Sequence, residues 1–121
     1  MPGSKADIIR AIFAAYLAND RAFVEGTFTA DFRFCSPFDD NIGKADYFER
    51  CWKDTGWIAR HELETIITEG DAAFVTYYCV ARDGASFRNT EFVRFAGDKV
   101  SRIDVYFGPG WKDGVFQPAA R

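Results

Sequence analysis

Residues 69–107 read EGDAAFVTYYCVARDGASFRNTEFVRFAGDKVSRIDVYF. Three turn pairs punctuate this stretch, Gly70-Asp71, Asp83-Gly84 and Gly97-Asp98, thirteen or fourteen residues apart. Gly beside Asp supplies the left-handed backbone that a tight hairpin needs. The intervening segments are rich in Val, Ile, Thr, Tyr and Phe, which pack well on a pleated surface. Together with the segment before Glu69, the spacing predicts a meander of four antiparallel strands at 57–69, 72–82, 86–96 and 99–107. Such strands are about twice the usual five or six residues, so the sheet must twist and curl.

Upstream of this stretch the hydrophobic period changes from two to four. Apolar pairs at Ile8/Ile9, Ile12/Phe13 and Tyr16/Leu17 predict an amphipathic helix over about 5–18, with Ser4 and Asp7 as its capping box. Asn19-Asp20 ends it. Asp20 then caps a shorter helix in which Phe23, Val24, Thr27 and Phe28 share a face. Residues 31–36 alternate as a short strand that stops at Pro37, residues 37–41 are a loop, and Gly43 leads into a third helix from Lys44 to about Lys53 with Tyr47/Phe48 and Cys51/Trp52 inward. Three helices followed by a long curled sheet make an α+β domain. At 121 residues the chain is expected to be one domain, 1–121, ending in an irregular tail, 109–121, that packs through Trp111 and Phe116.

The net charge of −3 provides no basic face for phosphates, which excludes nucleic acid and anionic membranes as expected partners. There is no signal-like N-terminus and no run of 18 apolar residues, so a cytoplasmic protein is expected. Cys35, Cys51 and Cys79 are odd in number and form no C-x-x-C pattern, which fits reduced thiols better than disulfides or zinc. A single histidine rules out a histidine-rich metal site, no phosphate loop or nucleophile elbow is present, and nothing calls for a cofactor. The 13 Phe, 5 Tyr and 3 Trp are a large aromatic share that must either fill a core or line a cavity.

The order of elements, the stretch from Asp31 to Asp40 (DFRFCSPFDD), the Glu69-Gly70-Asp71 turn and the closing strands through Gly108 resemble the nuclear transport factor 2-like superfamily, and within it the SnoaL-like branch. That superfamily includes ketosteroid isomerase, scytalone dehydratase and polyketide cyclases. The resemblance covers residues 5–108. It implies a curved antiparallel sheet wrapped around three N-terminal helices as a cone-shaped α+β barrel with an internal apolar pocket. It also implies a homodimer through the outer sheet face.

By the same resemblance, the residue that hydrogen-bonds the reacting oxygen in ketosteroid isomerase falls on Glu91. Period-two alternation places Phe87, Asn89, Glu91, Val93 and Phe95 on one face, joined by Ile103, Val105 and Phe107. A carboxyl among such neighbours should have a raised pKa, as in the worked case of that isomerase. The isomerase's general-base aspartate, before a proline at the end of the first strand, is here Ser36 before Pro37. Serine without an activating partner does not abstract a carbon-bound proton, so steroid isomerisation is not supported. Asp39 and Asp40 lie just beyond, as replacements if their loop folds inward or as solvated turn acids if it does not.

His61 falls on a strand whose apolar residues divide between faces, and a bulge would reverse the answer. Inward, it pairs with Glu91 as an oriented base; outward, it is a surface or interface residue. Parity on the 72–82 strand, chosen by the resemblance, puts Phe74, Thr76, Tyr78 and Val80 inward. The expected site is therefore Glu91, His61 and Asp40 for chemistry, with Asn89, Tyr78, Thr76, Trp52, Phe48, Phe34 and Phe107 around a small apolar or aromatic molecule, Trp52 and Phe48 forming the roof. Phe92, Tyr77 and Tyr106 fall on the opposite face, toward a second subunit. Two readings stand: a cofactor-independent isomerase, cyclase or dehydratase with Glu91 as acid/base, or a non-catalytic ligand-binding or dimeric assembly module.

Overall fold

Ser4 starts the first helix, α1 (Lys5–Leu17), by the reciprocal capping box: its hydroxyl accepts from the Asp7 amide at 3.2 Å while the Asp7 carboxylate accepts from the Ser4 amide at 3.2 Å. The structure, a computed structural model, describes residues 3–52, 57–108 and 110–118. Ile9, Ile12 and Phe13 lie three or four residues apart and are buried together against the sheet. Asn19 takes a left-handed φ of 54°, and Asp20 caps α2 (Arg21–Thr27) through the Phe23 amide at 3.2 Å. Carbonyls at the end of α2 receive lysines from distant elements: Lys44 Nζ donates to Glu25 O at 2.8 Å and Phe28 O at 3.1 Å, and Lys99 Nζ donates to Gly26 O at 2.6 Å. In α3 (Lys44–Cys51), Tyr47 and Phe48 are buried. Its expected extension to Lys53 lies outside the described residues.

The strands are β1 (Phe28–Ser36), β2 (Asp39–Gly43), β3 (Ile58–Glu69), β4 (Ala72–Ala81), β5 (Ala85–Ala96), β6 (Lys99–Phe107), β7 (Gly110–Lys112) and β8 (Val115–Gln117). Along the sheet they run β2-β1-β6-β5-β4-β3. The meander β3 to β6 is antiparallel, whereas β1 lies parallel to β6, so the sheet is mixed and its path keeps two open ends. Gly70 and Gly97 close two of its turns at φ 58° and 65°, a region that costs glycine nothing. Register shifts in β3 and between Arg94 and Phe95 bend the strands around the helices. Helices on the concave side and the curved open sheet form an α+β cone. No helix among the described residues is long and apolar enough to cross a membrane.

Three expectations are corrected by the fold. Of the expected loop at 37–41, residues 39–41 belong instead to the strand β2 (Asp39–Gly43). Ser36 accepts from the amides of Phe38 and Asp39, each at 3.1 Å, and donates to the Asp39 carboxylate at 2.8 Å, which folds 36–39 into a turn and returns β2 onto β1. The face of β4 is the reverse of that expected: Ala73, Val75, Tyr77, Cys79 and Ala81 are buried, and Phe74 is 48% exposed. The unbroken β4–β5 register sets Val75 opposite Glu91 and Phe74 opposite Phe92, and this pairing outweighs the size of the Phe74 ring. Finally, the tail is not irregular. Asp113 and Gly114 both take positive φ, the two-residue turn of a β7–β8 hairpin that docks on Ala85 and Ser86 of β5. Trp111 and Phe116 meet edge to face at 5.6 Å on its exposed surface instead of packing inward.

That docking leaves no room at Gly110, where a Cβ would stand 2.6 Å from the Ser86 carbonyl oxygen. Gly110→Ala is expected to cost about 1–3 kcal/mol through overpacking. Hydrogen exchange should show faster loss of protection in β7 and β8 than in the meander, and unchanged protection there contradicts the tight approach.

Candidate functional site

Between α1, α3 and the concave face of the sheet lies a cavity of about 290 Å³. That is near the lower end of small-molecule sites, about 300–1,000 Å³, and room for roughly ten waters. Register dictates what reaches it. Directly opposed residues of antiparallel strands share a face, so the rows His61–Cys79–Phe87, Tyr77–Asn89–Phe107 and Val75–Glu91–Val105 all point inward. The α1 stripe contributes Ile12, Phe13 and Tyr16, α3 contributes Tyr47 and Cys51, and Phe34 enters from β1. Trp57, half exposed and 6.3 Å from Phe87, stands where the cavity meets solvent.

Glu91 is the carboxyl of the cavity. Tyr77 Oη donates to Glu91 Oε2 at 2.8 Å and accepts from Asn89 Nδ2 at 2.9 Å, forming a chain of three polar groups across β4 and β5. Burial among Val, Phe and Ile pushes the Glu91 carboxyl up to about 7, against the opposing pull of the Tyr77 hydrogen bond. The Tyr77 phenol is driven well above its ordinary range by burial, then by the negative charge of Glu91 and the bond to it. Tyr16 is driven up in the same way, by burial first and then by the charges of Glu91 and Cys51. Its hydroxyl is bonded to that of Tyr47, so phenols from α1 and α3 meet over the carboxyl's side of the cavity. Burial also raises the Cys79 thiol to about 11, which keeps it protonated and unreactive as a nucleophile.

His61 faces inward. The register shifts between Ile58 and Arg60 and between Leu63 and Thr65 put His61, Leu63 and Ile66 on the concave side, although they do not share one parity in the sequence. The ring lies edge-on to Phe13 at 5.2 Å and to Tyr77 at 5.6 Å. Burial lowers its pKa, favouring the neutral ring, and Nδ1 is buried without a partner among the described residues. It is not paired with Glu91, whose hydrogen-bond partner among the described residues is Tyr77.

The cavity thus brings together Glu91, His61, Asn89, Phe34 and Phe107 of the expected residues. Five others lie elsewhere. Thr76 bonds Thr90 at 2.9 Å on the outer face, and Tyr78 lies there beneath the Arg88 guanidinium at 4.9 Å, both carried outward by the reversed face of β4. Phe48 and Trp52 are buried one layer behind the lining: Trp52 stacks on Tyr16 at 4.4 Å and donates to Asn19 Oδ1 at 3.2 Å, so Tyr16, Tyr47 and Trp57 cover the cavity in their place. Asp40 is exposed on β2 and does not reach the cavity, and its neighbour Asp39 is spent on Ser36 and on Arg50 at 3.7 Å. Neither acid replaces the base absent at Ser36.

Tyr16 and Tyr47 are site residues that the sequence reading leaves out, and Tyr77, expected on the outer face toward a second subunit, is instead buried and lines the cavity because the face of β4 is reversed. For Tyr16 and Tyr47 the signal is a hydroxyl on an otherwise apolar inward helical stripe, where a phenol needs a partner; for Tyr77 it is only the pairing of β4 with β5. Among the described residues, no cluster of three or more His, Cys, Asp or Glu is arranged to hold a metal.

A family model described as a SnoaL-like domain matches residues 9–103. An NTF2-like protein of unknown function from Cytophaga hutchinsonii superposes with a TM-score of 0.75 at 14% identity, over 88% of this chain and 92% of that one. A provisionally assigned ketosteroid isomerase from Kribbella flavida gives 0.74 at 17% identity, over 97% and 83%. AclR from Streptomyces galilaeus, provisionally assigned as a hydroxylase, gives 0.68 at 17% identity, over 85% and 77%. At these identities the likeness establishes the fold alone. By sequence, no curated protein matches the chain.

Proposed function

This chain belongs to the SnoaL-like domain family of NTF2-like folds, and on that premise we propose that it binds a small, mostly apolar ring compound in the cavity and exchanges a proton with it through Glu91, as a cofactor-independent isomerase, cyclase or dehydratase. The supporting observation is the buried carboxyl held near neutrality inside an aromatic cavity. An acid with a pKa close to the working pH is competent both to give and to take a proton. A protonated carboxyl and the hydroxyl left free in the Tyr16–Tyr47 pair are donors suited to an oxygen that gains negative charge, and the neutral ring of His61 is a base lining the same cavity. One structural neighbour bears the provisional name ketosteroid isomerase and another hydroxylase, names that agree with this reading.

A thermal-shift screen of carbonyl- and hydroxyl-bearing ring compounds, followed by turnover of each hit, tests it. Glu91→Gln is expected to keep binding while lowering turnover by about 10²–10⁴-fold, the scale of a lost general acid or base. Equal turnover in both proteins refutes the catalytic role. One observation favours the second reading, a ligand-binding or assembly module without chemistry: the Ser36 hydroxyl at the end of β1 is consumed by its own turn. That module, like the enzyme, is proposed to be a homodimer through the outer sheet face. There Ile67, Phe74 and Tyr106 are 61%, 48% and 62% exposed beside Phe92, an apolar stripe suited to a second copy.

A further inference from the structure

The polar groups of the cavity are unevenly matched. Several donors are engaged within the protein: an Asn89 N–H on the Tyr77 hydroxyl, the Tyr77 hydroxyl on Glu91, and one hydroxyl of the Tyr16–Tyr47 pair on the other. Acceptors are left over. Among the described residues Asn89 Oδ1 and His61 Nδ1, the latter an acceptor when the neutral ring carries its proton on Nε2, are buried without a partner, and Glu91 accepts from Tyr77 at Oε2. Buried acceptors without donors are costly, and native structures rarely leave them so. The charge balance points the same way. Among the described residues, no lysine or arginine lines the cavity, so the Glu91 carboxylate has no cation beside it, and buried charges are stable only when paired.

A ligand that brings both N–H donors and positive charge answers both deficits. Resting on the reading that this cavity is the ligand site, we propose that its ligand is a ring compound bearing a basic amine, held as an ammonium by Glu91 and by the free acceptors of Asn89 and His61, within walls of Phe13, Tyr77 and Phe87. The aromatic walls favour a cation over an anion, since ring faces carry negative potential. Entry of an ammonium beside the carboxylate, or transfer of the carboxyl proton to an entering amine nitrogen, gives the same ion pair. Carboxylates and phosphates are disfavoured, because they add negative charge beside Glu91 where, among the described residues, no lysine or arginine lines the cavity to balance it.

Three probes on one scaffold separate the possibilities: 1-naphthylmethylamine, 1-naphthalenemethanol and 1-naphthoate, titrated into the protein near neutral pH by calorimetry and by NMR shifts of the cavity residues. The expected order is amine, then alcohol, then naphthoate. The amine's advantage over the alcohol is expected to be about tenfold or more, the scale of a charge-assisted hydrogen bond. Glu91→Gln, checked for folding by circular dichroism, is expected to erase that advantage and leave the alcohol unchanged. Equal binding of amine and alcohol, or an advantage that survives Glu91→Gln, overturns the amine while the small-molecule site stands. Preference for naphthoate overturns it as well. Binding of none of the three removes the site reading and the amine together. The comparison on the unaltered protein decides even if the variant does not fold.

Discussion

Glu91→Gln is expected to stabilise the protein at pH 8 by roughly 3 kcal/mol and to leave its stability at pH 4 nearly unchanged. The sign follows from linkage. The folded carboxyl titrates at about 7 and the unfolded one near 4.5, so the folded state holds its proton longer. Below the lower value both states are protonated and the contribution to stability is complete; it declines as the unfolded chain ionises and is lost once pH has risen through the folded value. Two to three pH units at about 1.4 kcal/mol each give the figure of roughly 3 kcal/mol, or about 10 °C in melting temperature for a domain of this size. The glutamine amide has no charge to desolvate and its oxygen still accepts from Tyr77. Other acids titrate in both proteins, so the difference between the two melting curves isolates Glu91. A difference that is the same at pH 4 and pH 8 contradicts a buried, proton-holding carboxyl.

Phe32→Ala is expected to cost about 3–5 kcal/mol in urea unfolding. Phe32 is fully buried, stacked on Phe28 at 4.1 Å and edge-on to Tyr47 at 5.5 Å. Removing the ring leaves a cavity that α3 and β1 cannot both close without moving Tyr47, so the loss is felt at the Tyr16–Tyr47 pair as well as in the core. Against a total of about 5–15 kcal/mol this leaves a marginal fold. A loss under about 1 kcal/mol shows that the aromatic layer between the helices and β1 is not the core. Phe74→Ala on the outer face provides the contrast, with a small effect on the isolated subunit because that ring is already half in water.

How much was legible depended on whether a signal was local. Helix caps at Ser4 and Asp20 and the Gly-Asp turns are set by neighbours within four residues, and the structure places them as the sequence implies. The inward row Asn89, Glu91 and Val93 was equally readable, because β5 keeps strict alternation until the shift after Arg94. The face of β4 was not, since Phe74-Val75-Thr76-Tyr77-Tyr78-Cys79 is apolar on both parities and only pairing with β5 selects one. His61 depended on two bulges with no sequence mark of their own. Asp113-Gly114, between Lys112 and Val115, is a hairpin signal as strong as the three in the meander, and it shows that the tail was readable as well. The roof was misjudged for a different reason: helical periodicity tells that Phe48 and Trp52 are buried, but not whether they line a cavity or stand behind Tyr16 and Tyr47.

Whether Glu91 holds its proton to neutrality inside the cavity is read out by a carbon-13 NMR titration of its side chain, with Glu91→Gln identifying the resonance. A midpoint near 7, moving higher in Tyr77→Phe as the hydrogen bond that favours the carboxylate is lost, is the result expected. A midpoint near the ordinary 4.5, indifferent to Tyr77, would show a solvated carboxylate and contradict the site as described.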